Sequence, residues 1–220
     1  MPEREAATSR APARRWPERV TLRDGSEIAI RPIRKSDKKR LLEGFEQLSP
    51  ESRYHRFLVP MPELAPRLVR YFTEIDHHDH EALVALGWES GEPIGVVRFV
   101  RSEEDPEAAE VAVAVVDHWQ RRGVATELLK RIAVRAREEG ISCFTATCLA
   151  DNSEVLELFD SFGSTQILQS NSGLVEAKID LPAEEELGIR AALRAAATKS
   201  LLFRPPASRE AKPDWPPRRR

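Results

Sequence analysis

The chain has 220 residues, of which 41% are apolar and 32% are charged, and its formal net charge is −2. This length and composition are typical of a globular domain that buries a core without disulfides or metals. The small net charge argues against a nucleic-acid binder that works through bulk basicity. No apolar run approaches the ~18 residues of a membrane-spanning helix. We therefore expect neither nucleic acid nor a membrane as a partner.

The two ends of the chain differ in composition from its middle. Residues 1–18 are rich in Pro, Arg and Ala and contain no apolar core of a secretory signal. Residues 204–220 carry six basic and two acidic residues among several prolines. Such segments have little to bury, so we expect both to be disordered. The expected organisation is a disordered segment 1–18, a domain 19–181, a helix 182–203 and a disordered basic, Pro-rich tail 204–220.

The two cysteines, Cys143 and Cys148, lie five positions apart in one apolar stretch. On a strand this odd spacing directs their side chains to opposite faces, which disfavours a disulfide between them. We therefore expect a cytoplasmic protein in which both thiols are structural.

Hydrophobic periodicity predicts that strands and helices alternate through the middle of the chain. Ser36 is expected to cap the first helix, and Pro50 and Pro66 are expected to open the second and third. The predicted strands are 20–22, 27–33, 82–88, 94–100, 111–116, 141–149 and a hairpin over 166–180. The later predicted helices are 126–139, 153–162 and a last one that begins at Pro182. This order predicts an α/β fold with a mixed sheet and helices packed against it.

The segment 110–126 contains candidates for binding an anion. A strand that is apolar on both faces leads through two arginines and Gly123 into a helix. The unpaired N–H groups at a helix start, together with the positive end of the helix dipole, suit a pyrophosphate. Gly123 and Ala125 would let a ligand approach the backbone closely. The segment lacks the glycines of a dinucleotide fingerprint and the Gly-Lys-Ser/Thr ending of a P-loop. From the residues alone, an ordinary strand-to-helix turn remains the alternative.

Two segments resemble the GNAT superfamily of N-acetyltransferases. The loop 120–125, Gln-Arg-Arg-Gly-Val-Ala, resembles its pyrophosphate loop, and residues 152–163 resemble its second signature, a helix beside the pantetheine. Further segments resemble the acetyltransferase domain of bacterial protein-lysine acetyltransferases that modify acyl-CoA synthetases; they are 22–25, 30–33, 48–54 and 81–85. The resemblance implies the GNAT fold, a mixed, largely antiparallel central sheet flanked by helices.

The resemblance also implies a reaction, in which an acetyl group moves from acetyl-CoA to an amine by direct attack. The implied acceptor is a protein lysine, for example in an acyl-CoA synthetase. The residues that match the strand pairing with the pantetheine are Val113, Ala114 and Val115. Those that match the pyrophosphate loop are Arg121, Arg122, Gly123, Val124, Ala125 and Thr126. Asn152 matches the asparagine on the cofactor side.

A base is useful for this reaction, because a lysine ammonium has a pKa near ~10.4 and is almost fully charged at pH 7. Glu110 is the predicted base, since it opens the buried strand, where apolar surroundings would make its carboxylate more basic. Glu81, at the start of its own strand, is held in reserve, and a plain surface carboxylate is the alternative for Glu110. Phe159 stands where many relatives carry a tyrosine that protonates the leaving thiolate, which puts a tyrosine acid in doubt.

Three further interpretations stay open at this point. The cluster His77, His78, Asp79 and His80 offers metal ligands, but neighbours on an extended chain point to alternate sides, so we expect no metal. A non-catalytic acyl-CoA-binding or sensing module would keep the cofactor cleft and lose the chemistry. An acetyltransferase for small-molecule amines would share the chemistry and differ in the acceptor.

Overall fold

The computed structural model describes residues 15–182. Its strands are β1 (Glu18–Thr21), β2 (Glu27–Pro32), β3 (His80–Gly87), β4 (Pro93–Arg101), β5 (Ala108–Val115), β6 (Cys143–Leu149), β7 (Ser164–Asn171) and β8 (Leu174–Asp180). Its helices are α1 (Lys38–Glu46), α2 (Pro50–Phe57), α3 (Pro66–Thr73), α4 (Val124–Glu138) and α5 (Ser153–Phe162). The predicted helix 182–203 and the tail 204–220 lie outside the described residues apart from Pro182, as does most of segment 1–18.

The strands form one sheet in the order β1-β2-β3-β4-β5-β6-β8-β7. Every neighbouring pair is antiparallel except β5 and β6, which are parallel. This confirms the predicted fold class, a mixed and largely antiparallel sheet with flanking helices. β5 lies between β4 and β6, as its two apolar faces predicted. None of the helices between residues 15 and 182 has the length and apolar composition needed to cross a membrane.

The helices cover the two faces of the sheet. Strand alternation places Glu81 and Phe99 on the face that packs against α4, where Leu128 and Ile132 are fully buried. On the opposite face of β3, Ala82, Val84 and Leu86 point towards α1–α3 and form a second buried group with Ile33, which follows β2. The sheet therefore has a separate core on each side, and a residue of β3–β5 faces one or the other according to its parity.

Local sequence signals explain most helix boundaries. Ser49 caps α2 by accepting a hydrogen bond from the backbone N–H of Ser52 (3.1 Å), and Pro50 occupies the first helical position. The cap predicted at Ser36 is wrong, because a 3-10 turn over Lys35–Asp37 precedes α1. Within that turn the carboxylate of Asp37 accepts the hydrogen bond from Arg34 N–H (2.8 Å).

The last two strands form a tight hairpin. Ser172 and Gly173, the two residues between β7 and β8, both have positive φ angles, of 53° and 80°. Such a pair is typical of the type I′ turn, whose twist matches that of the strands. Cys143 and Cys148 of β6 are both buried and free, in agreement with the expectation of structural thiols.

Candidate active site

β5 and β6 separate partway along their length, and this separation is the main feature of the site. The two strands pair only over Ala108–Glu110, opposite Cys143 to Thr145. On its other edge β5 stays paired with β4 as far as Val115. Within residues 15–182, no strand pairs with the β6-facing edge of β5 beyond Glu110. The backbone groups of that edge are therefore open to an extended ligand that can pair like a strand.

The predicted pantetheine residues lie on this open edge. Val113, Ala114 and Val115 are half-buried, in contrast to the fully buried middle of β3. The sequence analysis predicted that these three residues pair with the pantetheine. They belong to the part of β5 that has a partner strand on one side only.

The predicted pyrophosphate residues surround the start of α4. Gly123 precedes the helix with φ +93°, and no side chain caps the helix N-terminus. A Cβ built on Gly123 would meet nothing within 4 Å. The N–H groups of Val124, Ala125 and Thr126 belong to the first turn and have no partner within the helix, and the positive end of a 15-residue helix lies there. This arrangement suits the phosphates of coenzyme A.

The two arginines of this loop have different surroundings. Arg121 is exposed, with φ +58°, and its nearest acid is Glu154 at 3.9 Å. Arg122 Nε donates to Asp24 Oδ2 (2.5 Å), and its guanidinium lies 3.9 Å from the ring centroid of Trp119. Hydrogen bonds from Ser26, followed by the contact with Arg122, lower the pKa of Asp24 to about 2. Arg121 is thus the arginine free to approach a phosphate, whereas Arg122 is anchored to the β1–β2 turn.

Gln120 connects this loop to the rest of the site, a contact that sequence analysis did not identify. Its side-chain amide donates to the carbonyl of Val115 (3.0 Å) and to Ser52 Oγ (3.2 Å). Asp117 accepts a hydrogen bond from the backbone N–H of Ser49 (3.1 Å). The start of α2 is therefore held against the end of the open β5 edge. In the sequence, the only indication of this contact was that a glutamine opens the loop 120–125.

Asn152 caps the helix that follows β6. Its side-chain oxygen accepts a hydrogen bond from the backbone N–H of Val155 (3.2 Å), which explains why α5 begins at Ser153. Phe159 on the same helix is buried. Its phenyl ring has no acidic proton to donate to a leaving thiolate.

The two candidate bases lie on opposite faces of the sheet. Glu110 lies opposite Val100 in the β4–β5 register, on the face that α1–α3 cover, and its side chain is exposed. The apolar surroundings expected for Glu110 are therefore not found. Burial lowers the pKa of the nearby Arg56, and the negative charge of Glu110 opposes that lowering. A cationic group thus lies close to the predicted base.

Glu81, the reserve base, is fully engaged in the fold. Its side chain is 1% exposed, on the α4 face of β3. It accepts hydrogen bonds from Arg135 Nε (3.1 Å) and the backbone N–H of Ala82 (2.9 Å), and it contacts His77 Nδ1 (2.7 Å). These contacts identify Glu81 as a structural carboxylate that ties β3 to α4, and they argue against its use as a base.

The histidine cluster is dispersed among separate partners. His77 contacts Glu81, His78 contacts Glu139 (3.0 Å) and His80 contacts Arg98 (2.9 Å). Among the described residues, no three potential ligands converge on one point.

Comparison with known proteins places this geometry in a family. The model of the acetyltransferase (GNAT) family matches residues 42–163, more than half of the chain. The chain belongs to the GNAT family. This membership confirms the resemblance to the GNAT superfamily seen in the sequence.

Individual relatives agree with this assignment. The chain is 33% identical over 164 residues to the acetyltransferase Pat of Mycolicibacterium smegmatis, covering 74% of this chain and 48% of Pat. It therefore spans about half the length of that relative. The crystal structure of the GNAT domain of S. lividans PAT has 38% sequence identity and a TM-score of 0.69, over 74% of this chain and 96% of that one.

A more distant structure shares the fold. It is a Salmonella typhimurium protein solved with its cofactor acetyl-CoA, with 19% identity and a TM-score of 0.57 over 70% of this chain and 94% of that one.

Proposed function

We propose that this protein transfers the acetyl group of acetyl-CoA to a protein lysine by direct attack of the amine. The observation that carries the proposal is the open edge of β5, which begins beside Glu110 and leads towards the uncapped start of α4. An extended pantetheine could pair with that edge while its pyrophosphate meets the helix N-terminus. One strand and one helix then position both ends of the co-substrate.

The residues that would hold acetyl-CoA follow from this placement. The backbone of Val113, Ala114 and Val115 would pair with the pantetheine. The backbone N–H groups of residues 124–126 and the side chain of Arg121 would bind the phosphates. Acetyl-CoA supplies an activated acyl group, and the protein supplies orientation and charge neutralisation.

Glu110 is the general base in this proposal. The amine nitrogen attacks the thioester carbon, the C–N bond forms as the C–S bond breaks, and Glu110 accepts the proton that the amine loses. Coenzyme A leaves as a thiolate, which a thiol pKa near ~8.5 makes a tolerable leaving group without a tyrosine acid. Because Glu110 is exposed, an acceptor as large as a protein can reach it.

The acceptor class rests on the likeness to bacterial protein-lysine acetyltransferases, in which an acyl-CoA synthetase is the implied substrate. A cytoplasmic location belongs to the same proposal, and the two free cysteines support it.

Incubation with labelled acetyl-CoA and purified acyl-CoA synthetases, followed by mass spectrometry of peptides, tests the proposal. We expect acetyl-lysine that depends on the enzyme. Acetyl-CoA binding without turnover on any protein or small amine would instead indicate a sensing module. Turnover on small amines alone would overturn the protein acceptor and keep the chemistry.

A further inference from the structure

Arg98 of β4 is a buried cation without an acidic partner. Only 5% of the surface of Arg98 is exposed to solvent, and its guanidinium lies 4.2 Å from the ring centroid of Phe72. Among the described residues, its one hydrogen bond goes to His80 Nε2 at 2.9 Å. Within residues 15–182, no carboxylate forms an ion pair with Arg98. An unpaired buried charge costs folding free energy, so its presence calls for a functional reason.

Neutral His80 accounts for only one of the donors of Arg98. Burial, followed by the charge of Arg98, lowers the pKa of His80 to about 4, so its ring is neutral at pH 7 and Nε2 can accept a hydrogen bond. A guanidinium has five N–H donors. Most of the donors of Arg98 therefore remain available to a ligand.

Arg56 of α2 is a second cation in the same place. Its guanidinium lies 5.1 Å from the Phe57 ring centroid, and in the part of the chain that the structure describes it makes no hydrogen bond or ion pair. Burial, followed by the charge of Arg56, lowers the pKa of Arg98 to about 9, which still leaves Arg98 charged at pH 7. Two like charges thus oppose each other in a partly desolvated site. A bound anion would relieve both.

Both arginines line one cavity between the sheet and α1–α3. Its volume of about 70 Å³ is enough for several water molecules, and hence for a carboxylate. Its wall includes Ala114, on the part of β5 with the open edge. In the strand register, Arg98 lies opposite Ala112, between Glu110 and Ala114 on the same face. The cavity therefore adjoins the segment where the proposed reaction takes place.

A third arginine of the cavity provides a contrast. Arg40 also lines it, but its Nη1 lies 3.3 Å from Asp37 Oδ1, within a cluster that includes Arg31. The fold thus pairs one cavity arginine with a buried carboxylate, whereas among the described residues no carboxylate forms an ion pair with Arg98 or Arg56, and the acid near Arg56 is the exposed Glu110. This asymmetry favours a ligand that brings its own negative charge.

We propose that Arg98 and Arg56 bind a carboxylate carried by one of the two substrates, beside the reacting thioester. The position of the thioester rests on the proposed function. Planar guanidinium groups suit this role, since each can donate two parallel hydrogen bonds to a carboxylate. The carboxylate has two possible sources, the far end of a dicarboxylic acyl chain on coenzyme A or the amine acceptor itself.

Calorimetry with paired probes distinguishes the two sources. The donor arm compares succinyl-CoA with acetyl-CoA, and the acceptor arm compares lysine with 1,5-diaminopentane on enzyme saturated with coenzyme A. In one arm we expect the carboxylate-bearing probe to bind more tightly. Arg98→Gln and Arg56→Gln should each reduce that preference about 10- to 100-fold, as expected for hydrogen bonds to a charged group. The arm that responds identifies the source.

Arg40→Gln is the matched control, because it removes a cavity arginine that already has an acid; it should leave the preference unchanged. Arg56 is only half-buried, so Arg56→Gln keeps the test valid if Arg98→Gln does not fold. Equal binding of both probes in both arms, or a preference that survives undiminished in folded Arg56→Gln, would overturn the proposal. Because binding is measured without turnover, failure of the proposed acetyl transfer would be seen separately.

Discussion

Arg31 holds Asp37 through two parallel hydrogen bonds, from Nη1 to Oδ2 at 2.6 Å and from Nη2 to Oδ1 at 2.7 Å. Both side chains are buried, with 10% and 2% of their surfaces exposed. The pair joins the end of β2 to the turn before α1. It therefore fixes the position at which the chain leaves the sheet to form the helices above the cavity.

Asp37→Asn is expected to lower the free energy of unfolding by about 3–5 kcal/mol, because it leaves Arg31 buried without its counter-charge. Urea unfolding at pH 7 measures the loss. Glu74→Gln, which breaks the exposed pair with Lys38, is the control and should change the free energy of unfolding far less, because solvent screens an exposed pair. Equal effects of the two substitutions would contradict the role assigned to the buried pair.

Acid titration of the parent tests the same pair. Burial alone would raise the pKa of Asp37, but hydrogen bonds from Arg31 and Arg34 and the nearby charges lower it below its usual 3.8. A carboxyl with a depressed pKa stabilises the fold above its unfolded pKa, and that contribution is lost as pH falls through the folded value. Stability should therefore decline below about pH 4 more steeply in the parent than in Asp37→Asn.

Gly123→Glu should weaken acetyl-CoA binding by about tenfold or more, because it places a negative charge at the helix N-terminus that the phosphates would occupy. Calorimetry with acetyl-CoA measures the change. Gly140→Glu is a matched control at the other end of α4, with φ +79° and nothing within 4 Å of its Cβ position. Both substitutions carry the strain of a positive φ, so a shared loss of affinity would point to strain instead of charge.

Glu110→Gln should lower turnover by about 10²- to 10⁴-fold at neutral pH and leave acetyl-CoA affinity unchanged, as expected for the loss of a general base. The deficit should shrink as pH rises towards ~10.4, where lysine deprotonates unaided. Steady-state rates from pH 7 to 10 measure both effects. A rate near the parent's at pH 7 would show that Glu110 is not the base.

Glu81→Gln completes that experiment. Since Glu81 is held by Arg135, Ala82 and His77, its substitution should lower the free energy of unfolding by about 1–3 kcal/mol. The folded fraction should keep its turnover rate. Loss of turnover in folded, stable Glu81→Gln would instead assign a catalytic role to Glu81.

His80 should make stability depend on pH between about 4 and 6.5. Burial, then the charge of Arg98, lowers its folded pKa to about 4, with Asp76 opposing and His77 adding to the effect. Between those values the unfolded chain binds the extra proton, so stability falls as pH falls. His80→Gln, whose amide oxygen can accept from Arg98, should flatten this dependence in urea unfolding at pH 5 and 7.5.

His78→Gln is the control with the opposite sign. The hydrogen bond and charge of Glu139 raise the pKa of exposed His78, so its contribution is present below pH 6.5 and disappears as pH rises through the folded pKa. Its removal should reduce stability slightly at pH 5 and leave it unchanged at pH 8. If His80→Gln and His78→Gln changed the pH dependence of stability in the same direction, the opposite pKa shifts assigned to the two histidines would be wrong.

Most secondary structure could be predicted from the sequence, since the signals that determine it are local. Ser49 followed by Pro50 was sufficient to place the start of α2, and the apolar periodicity over 153–162 matches α5 in full. The Gly123 loop and the open-edge residues of β5 were identified through short motifs. The cap predicted at Ser36 was wrong, because the ion pair between Asp37 and Arg31, six residues apart in the chain, organises that turn.

The tertiary structure alone decided which groups meet. Glu110 and Glu81 both lie near the start of a strand, but register places them on opposite faces, one exposed and one bound to α4. The separation of β5 from β6 depends on pairing between strands more than 30 residues apart. The convergence of Arg56 and Arg98 depends on how α2 packs over β5, the strand beside β4. Periodicity reports which side of an element is apolar, whereas contacts between distant segments depend on packing that no local pattern encodes.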